Sequence, residues 1–545
     1  MKQNWVGAGS MRRKVVVARV AALVGVLGLG GALVPACGSY EPGDGGGEGA
    51  AGGAGGAGGM GGLGGVAGEG GAAGGTDGTG GASAEEPEFC DPTVDDCDGP
   101  GVLYVSPLGF DGAAGTVTDP IQTMKEALQR AALRVNLGQA PPVIHACATA
   151  GRYTETLQIN AEHGRIGIFG GFECELFESS EERATFVATE PSGHRIEGAD
   201  WVILKNLRLK SPDASVPAES SRVLTVIDST GVRIVRSELV AGAGAPGVDG
   251  EGVGWAERAE AGAPGNPGNE ACPNNQFGIN PGGMSVTTRC SDSSRSIGGD
   301  GGPGADGTEG FESGYPGQPG HPSGGTAGKG EETQSCTDGG HGEPGKPGAP
   351  GLPSEPFGRL SDAGYLPPLG GDGAAGTIGG GGGGGGGSAK PATCAMGASG
   401  GSGGGGGCPG VGATGGQGGG GSFGLVTVMS ALELSQVTIT LAQGGAGGRG
   451  GNGQVGGNGA EGGLPGDGAG VGNDACAGGH GGNGGGGGAG AGGAGGPAIG
   501  VAYSGIAPTG AAVVVLPLAA QGGYPGFGHL GGSGVPGVVE EIRSF

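Results

Sequence analysis

Three stretches of the chain carry nearly the same message: VLTVIDS at Val223–Ser229, LVTVMSA at Leu425–Ala431 and AIGVAYS at Ala498–Ser504. Each is followed by a second apolar, alternating run, starting at Val232, Leu432 and Val513. After the first two copies the chain leaves on a long glycine-rich excursion and then resumes the pattern. Stacked-coil scaffolds behave this way when loops are inserted at one corner of successive turns. The alignment predicts that Val226, Val428 and Val501 share one interior column. It also predicts that both excursions leave and return at one corner, because loop closure costs only about (3/2)RT ln n.

Composition limits where a core can form. Glycine supplies 149 of 545 residues, and each loses the most backbone entropy on folding while burying almost nothing. The apolar core is therefore expected from Val102–Gly242 and the later repeat copies. Short alternating runs fill that region: Val102–Ser106, Val143–Ala148, Glu155–Asn160, Arg165–Gly171, Ala184–Thr189 and Trp201–Lys210. From Val143 onward turn residues separate them, and no helical pattern lies between them. One amphipathic helix is expected from Asp119 as N-cap, with Pro120 in first position and Ile121, Met124, Leu128 and Ala131 on one face. It would lid the open end of a β-solenoid. A meander or sandwich is the competing arrangement.

The net charge of −25 is thinly spread, so nucleic acid is not an expected partner. Arg12, Arg13, Lys14 and Arg19 precede the apolar run Val20–Val34, which ends in LVPAC with Cys37. That order makes an export signal, and the run is too short and glycine-rich for a membrane span. LVPAC resembles a bacterial lipobox, which implies that Cys37 is lipidated, anchors the chain and becomes its mature N-terminus. Gly38 resembles the sorting residue of lipoproteins destined for an outer membrane; plain secretion is the alternative. Met11 is an alternative start to Met1. The remaining ten cysteines are even in number, as in an exported disulfide protein. Sequence proximity suggests Cys90–Cys97, Cys147–Cys174, Cys272–Cys290 and Cys394–Cys408, leaving Cys336 and Cys476 for each other, although ten cysteines do not fix the connectivity.

These features divide the chain into a signal segment (1–36), a Gly/Ala tether (37–88) and the first coils (89–242). A glycine-rich insertion (243–422), one coil (423–443), a second insertion (444–496) and a final coil with tail (497–545) follow. The tether is expected to be a flexible coil spanning on the order of 35–40 Å. Parts of the insertions place glycine at every third position: Gly298–Gly310, Gly339–Gly351 and Gly444–Gly462. The middle set reads like collagen, but a lone chain has no partner strands. Either irregular coil or packed polyproline-II-like segments are expected there.

VLYVSPLGFDGAAGTVTDPIQTMKEAL resembles the opening strand, glycine-rich loop and capping helix of bacterial right-handed parallel β-helix proteins of the pectate-lyase-like superfamily. HACATAGRYTETLQI and IGIFGGFEC resemble their first coils. The resemblance covers roughly Val102–Leu209 and implies an all-β, right-handed parallel β-helix with one N-terminal capping helix. It also implies polysaccharide lyase or hydrolase chemistry, with acidic residues holding calcium and an Arg or Lys as base. The residues available for that are Asp200, Lys205, Arg208, Asp228, Arg233 and Arg236; an ordinary solvated strand face accounts for them equally.

Other motifs are weak. Ser399 and Ser402 fit G-x-S-x-G but lack the strand and helix of a nucleophile elbow. Gly301–Glu309 nearly fits a calcium nonapeptide, with Asp306 as ligand, in a single copy where tandem copies are needed. Cys336/His341 and Cys476/His480 have zinc-like spacings, set against disulfides in an exported chain. The leading expectation is a non-catalytic surface lipoprotein whose scaffold displays glycine-rich lobes toward polysaccharide or other surface proteins. A polysaccharide lyase or hydrolase and a calcium-dependent binding module are the alternatives.

Overall fold

A computed structural model describes residues 101–139, 143–254, 256–273, 278–307, 312–519, 521, 524 and 531–545. The export signal, the tether, Cys37, Cys90 and Cys97 lie outside the described residues.

The protein is predominantly β, built on two long parallel sheets with one α-helix among the described residues, an arrangement compatible with a β-helix-like fold. The first sheet runs in the order Val102–Val105, Val143–Cys147, Ile166–Phe172, Val202–Lys205, Val232–Val235 and Leu432–Thr440. Leu432–Thr440 also pairs with Glu238–Val240, which leads back through Leu207–Lys210 and Ala184–Val187 to Arg152–Tyr153. The second sheet runs Gln158–Asn160, His194–Glu197, Ser221–Ile227, Ser422–Val428, Ala498–Ser504 and Val539–Ser544. Each middle coil thus supplies one strand to the second sheet and two to the first, as His194–Glu197, Val202–Lys205 and Leu207–Lys210 do.

Residues in left-handed conformation mark the corners. Gly198, Asp228, Met429 and Gly505 repeat this at one corner, with φ of 61°, 45°, 48° and 93°. Asn206, Arg236 and Gln436 repeat it at another, splitting the expected run Trp201–Lys210 into two strands. Buried serines tie one coil to the next. Ser229 Oγ accepts the Ala199 N–H at 3.1 Å, and Ser430 Oγ accepts the Ser229 N–H at 3.1 Å.

The register corrects the sequence alignment. Leu224 pairs with Leu425, and Leu425 with Val501; this is the interior column. Val226 instead pairs with Thr427, and Ile227 with Val428. Val226 joins the main core, whereas Val428 packs on the opposite face with Phe423, Val426 and Ile499. The aligned copies were one and two residues out of register, and a one-residue slip turns a side chain to the other face. Stacking itself continues through both excursions.

The helix spans Met124–Asn136 and buries Met124, Ala127, Leu128 and Ala131 against the first coils. Its N-cap is Thr123, not Asp119. Asp119 instead accepts the N–H of Ala114, and Ile121 bonds to Tyr104 as part of the first coil.

The excursions depart and return at matched places. Val240 pairs with Thr440 where they leave, and Ser422 pairs with Ala498 where they return. Within them the backbone is ordered by a three-residue rule. The N–H groups of Gly382, Gly383 and Gly384 donate to Gly404, Gly340 and Gln318 at 2.8–2.9 Å. Their carbonyls accept from Gly299, Gly479 and Gly328 at 2.8–2.9 Å. Three consecutive residues therefore meet six different segments, the periodicity of a polyproline-II screw in a close-packed array. All of Gly379–Gly387 is buried glycine, because every edge of that segment faces another backbone. A Cβ on Gly383 would lie 2.0 Å from the Thr326 carbonyl oxygen. Outer segments need glycine only on their one inward edge. Backbone hydrogen bonds, each worth about 1 kcal/mol net, replace the missing side-chain core and pair the buried backbone of segments such as Gly382–Gly384.

Candidate functional site

Four disulfides join the described cysteines: Cys147–Cys174, Cys272–Cys394, Cys290–Cys408 and Cys336–Cys476. The expected local pairs Cys272–Cys290 and Cys394–Cys408 are corrected. Met396–Cys408 is buried between neighbouring segments, and packing brings Cys394 and Cys408 beside cysteines more than a hundred residues away. The disulfides point to an exported or extracellular protein. Among the described residues no helix is long and apolar enough to cross a membrane.

The zinc-like spacings resolve differently. Cys336 and Cys476 bond to each other, and the backbone N–H of His480 donates to His341 Nδ1 at 3.0 Å. That bond occupies the Nδ1 lone pair of His341, and among the described residues no group of three His, Cys, Asp or Glu is placed to hold a metal ion. Asp306 joins no group of three His, Cys, Asp or Glu among the described residues, and Thr308 and Glu309 of that motif lie outside them. Ser399 and Ser402 are buried, their hydroxyls accepting the N–H groups of Asn269 and Asn266 at 2.7 and 2.8 Å. They cap backbone, and neither lies in a strand or helix.

The six charged strand residues do not converge on one point. Arg208 pairs with Glu238 at 2.9 Å and Arg233 with Glu433 at 3.1 Å, each across matched positions of adjacent coils. Arg236 donates to Gln436 at 3.1 Å, and Asp200 accepts from Thr230. Lys205 is buried and Asp228 is an exposed corner residue. This is a cross-strand ladder of half-exposed pairs, each worth little in stability.

A concave surface lies beside that ladder, unmarked by any motif. Trp201 sits in left-handed conformation at φ 55°, unusual for a bulky residue. Its ring leans over Gly231, where a Cβ would come within 3.0 Å, and the Arg165 guanidinium lies 5.8 Å from the ring centre. Past Trp201 the small residues Gly231 and Ala431 floor a trough of about 200 Å³, walled by Arg233, Glu433 and Ile506. A neighbouring hollow of about 410 Å³ is lined by Arg165, Asp200 and Val135. The available sequence signal was Trp201 recurring as Gly231 at the same place one coil later.

Two titratable groups, the buried His194 and the half-buried Glu155, matter for stability. His194 points into the coil interior, its Nδ1 accepting the Leu157 N–H at 3.0 Å. Burial lowers its pKa to about 4, partly countered by the carbonyls of Lys210 and Phe186. Burial raises the Glu155 carboxyl, partly countered by the N–H groups of Met124 and Lys125.

On the lobe, Gly342, Gly345, Gly348 and Gly351 donate inward to His480, Asn483, Gly486 and Ala489 at 2.7–2.9 Å. The Glu-Pro, Lys-Pro, Ala-Pro and Leu-Pro pairs between and after them, at 343–353, are all exposed. Comparison with protein families, curated proteins and solved structures found no match for this chain.

Proposed function

We propose that this protein is an exported, non-catalytic scaffold: a right-handed parallel β-helix that holds a rigid glycine-rich lobe at its side for contact with surface proteins or polysaccharide. The observation that carries the reading is the corner itself. Two excursions leave at the paired residues Val240 and Thr440 and return at the paired residues Ser422 and Ala498. They bond to each other through their backbones and through Cys336–Cys476. So much ordered backbone has a use if its outer surface is what is presented. A lipid on Cys37 would hold the assembly at the outer membrane, and the pectate-lyase-like resemblance of Val102–Leu209 supports the handedness. The test is incubation of the full chain with acidic and neutral polysaccharides, alongside a glycan-array screen. Retention without new reducing or unsaturated ends supports the scaffold; turnover would sink it.

A second reading, polysaccharide binding on the coil flank, draws support from the trough beside Trp201. An aromatic face flanked by Arg233 and Glu433 suits a sugar ring and its hydroxyls. Trp201→Ala would then abolish retention while leaving the lobe folded.

A further inference from the structure

We infer that the outer edge of the 343–353 segment is a preformed ligand for a partner with an aromatic-lined, proline-recognising groove. The inference rests on the lobe being a displayed surface. Two sides of the segment are already committed. Its glycines donate to the 480–489 segment, and the carbonyls of Glu343, Lys346 and Ala349 accept from Gly380, Thr377 and Ala374 at 2.8–2.9 Å. The remaining edge carries Pro344, Pro347, Pro350 and Pro353, all exposed, with Leu352 76 % exposed beside them.

Three observations select the occupant. A proline has no N–H, so two such edges brought together offer each other only acceptors, which argues against a symmetric second copy seated on this edge. The repeat is Xaa-Pro every third residue on a three-residue screw, the pattern that aromatic grooves read, with one Xaa-Pro pair per slot. The segment is held by hydrogen bonds on both flanks, so the partner would not bear the entropy of ordering a free peptide.

The experiment titrates the full-length protein into an isotopically labelled WW domain whose groove is lined by Trp and Tyr. Saturable chemical-shift changes at the groove rings are expected. Pro347→Ala with Pro350→Ala should weaken binding by about tenfold or more, a loss of about 1.4 kcal/mol. The melting temperature should hold, because the inward glycine bonds do not use these prolines. Absence of groove shifts with the native protein would mean that the prolines only terminate the array, and the proposal fails. It fails equally if the shifts survive the double substitution, or if that substitution instead dissolves a dimer of the protein. Hydrogen exchange at Gly345 and Gly348 separates the two ideas: fast exchange there removes the displayed lobe itself, slow exchange with no binding removes only the partner.

Discussion

Val240 and Thr440 face each other in register, and each is the last strand residue before a glycine-rich excursion. The two departures are therefore one coil apart at the same corner. That single relationship lets two separate insertions lie side by side and bond as one body.

The array should be intolerant of even one methyl group at its centre. Gly383→Ala would place a Cβ 2.0 Å from the Thr326 carbonyl oxygen, with backbone rather than a yielding side chain in the way. We expect a loss of about 3 kcal/mol or more. Gly254→Ala, whose nearest neighbour would be Glu257 at 3.9 Å, should stay within about 0.5 kcal/mol of the parent. Denaturant melts of both variants check this, and equal effects would contradict the packed array.

Non-reducing peptide mapping should recover Cys272 linked to Cys394 and Cys290 linked to Cys408. These bonds span 122 and 118 residues of sequence. Cys290→Ser with Cys408→Ser is expected to cost about 2–5 kcal/mol, since long loops lose most when a crosslink is removed.

Stability should fall on acidification through His194. Its folded pKa of about 4 lies below the ordinary 6.5, so the unfolded chain binds the proton more tightly. The contribution is intact above pH 6.5 and is lost as pH falls toward 4, by about 3 kcal/mol in all. His163, also lowered by burial, acts in the same direction, and Glu155, raised by burial, in the opposite one. Stability measured between pH 7 and pH 4 should show a shallower slope in His194→Gln than in the parent.

The lid depends on a carboxylate contributed from outside the helix. Glu155 accepts the N–H groups of Met124 and Lys125 at 2.8 and 3.1 Å. Glu155→Ala leaves two helix-start donors without that partner and should cost about 1–2 kcal/mol near neutral pH. Faster hydrogen exchange at Met124 and Lys125 would accompany it; unchanged exchange would show that Thr123 suffices as a cap.

Alternation and repetition in the sequence determined that this chain is β-rich, that its strands recur, and that a helix lies near residue 124. Those signals are local: a period of two marks a half-buried strand, and an apolar stripe with a nearby capping residue marks a helix. The His194–Glu197 strand carries no such signal, because Ile196 is its only apolar residue and glycines bound it on both sides. The threefold glycine spacing was equally legible, since it places one bare edge on each turn. What a backbone edge touches depends on segments well separated in sequence, as Gly383 meets Gly340 and Gly479 and Gly250 meets Arg449, and no local pattern records that. Tertiary structure alone decided that Leu224 and not Val226 aligns with Leu425 and Val501, because register is set by pairing across the excursions. It alone decided that Cys272 meets Cys394, because the array lays distant segments side by side. It alone set Trp201 over Gly231, since the trough exists only between coils. The charges at Asp200, Arg208 and Arg233 could be read, but their partners Thr230, Glu238 and Glu433 lie one coil on, at a distance fixed by the length of the intervening loop.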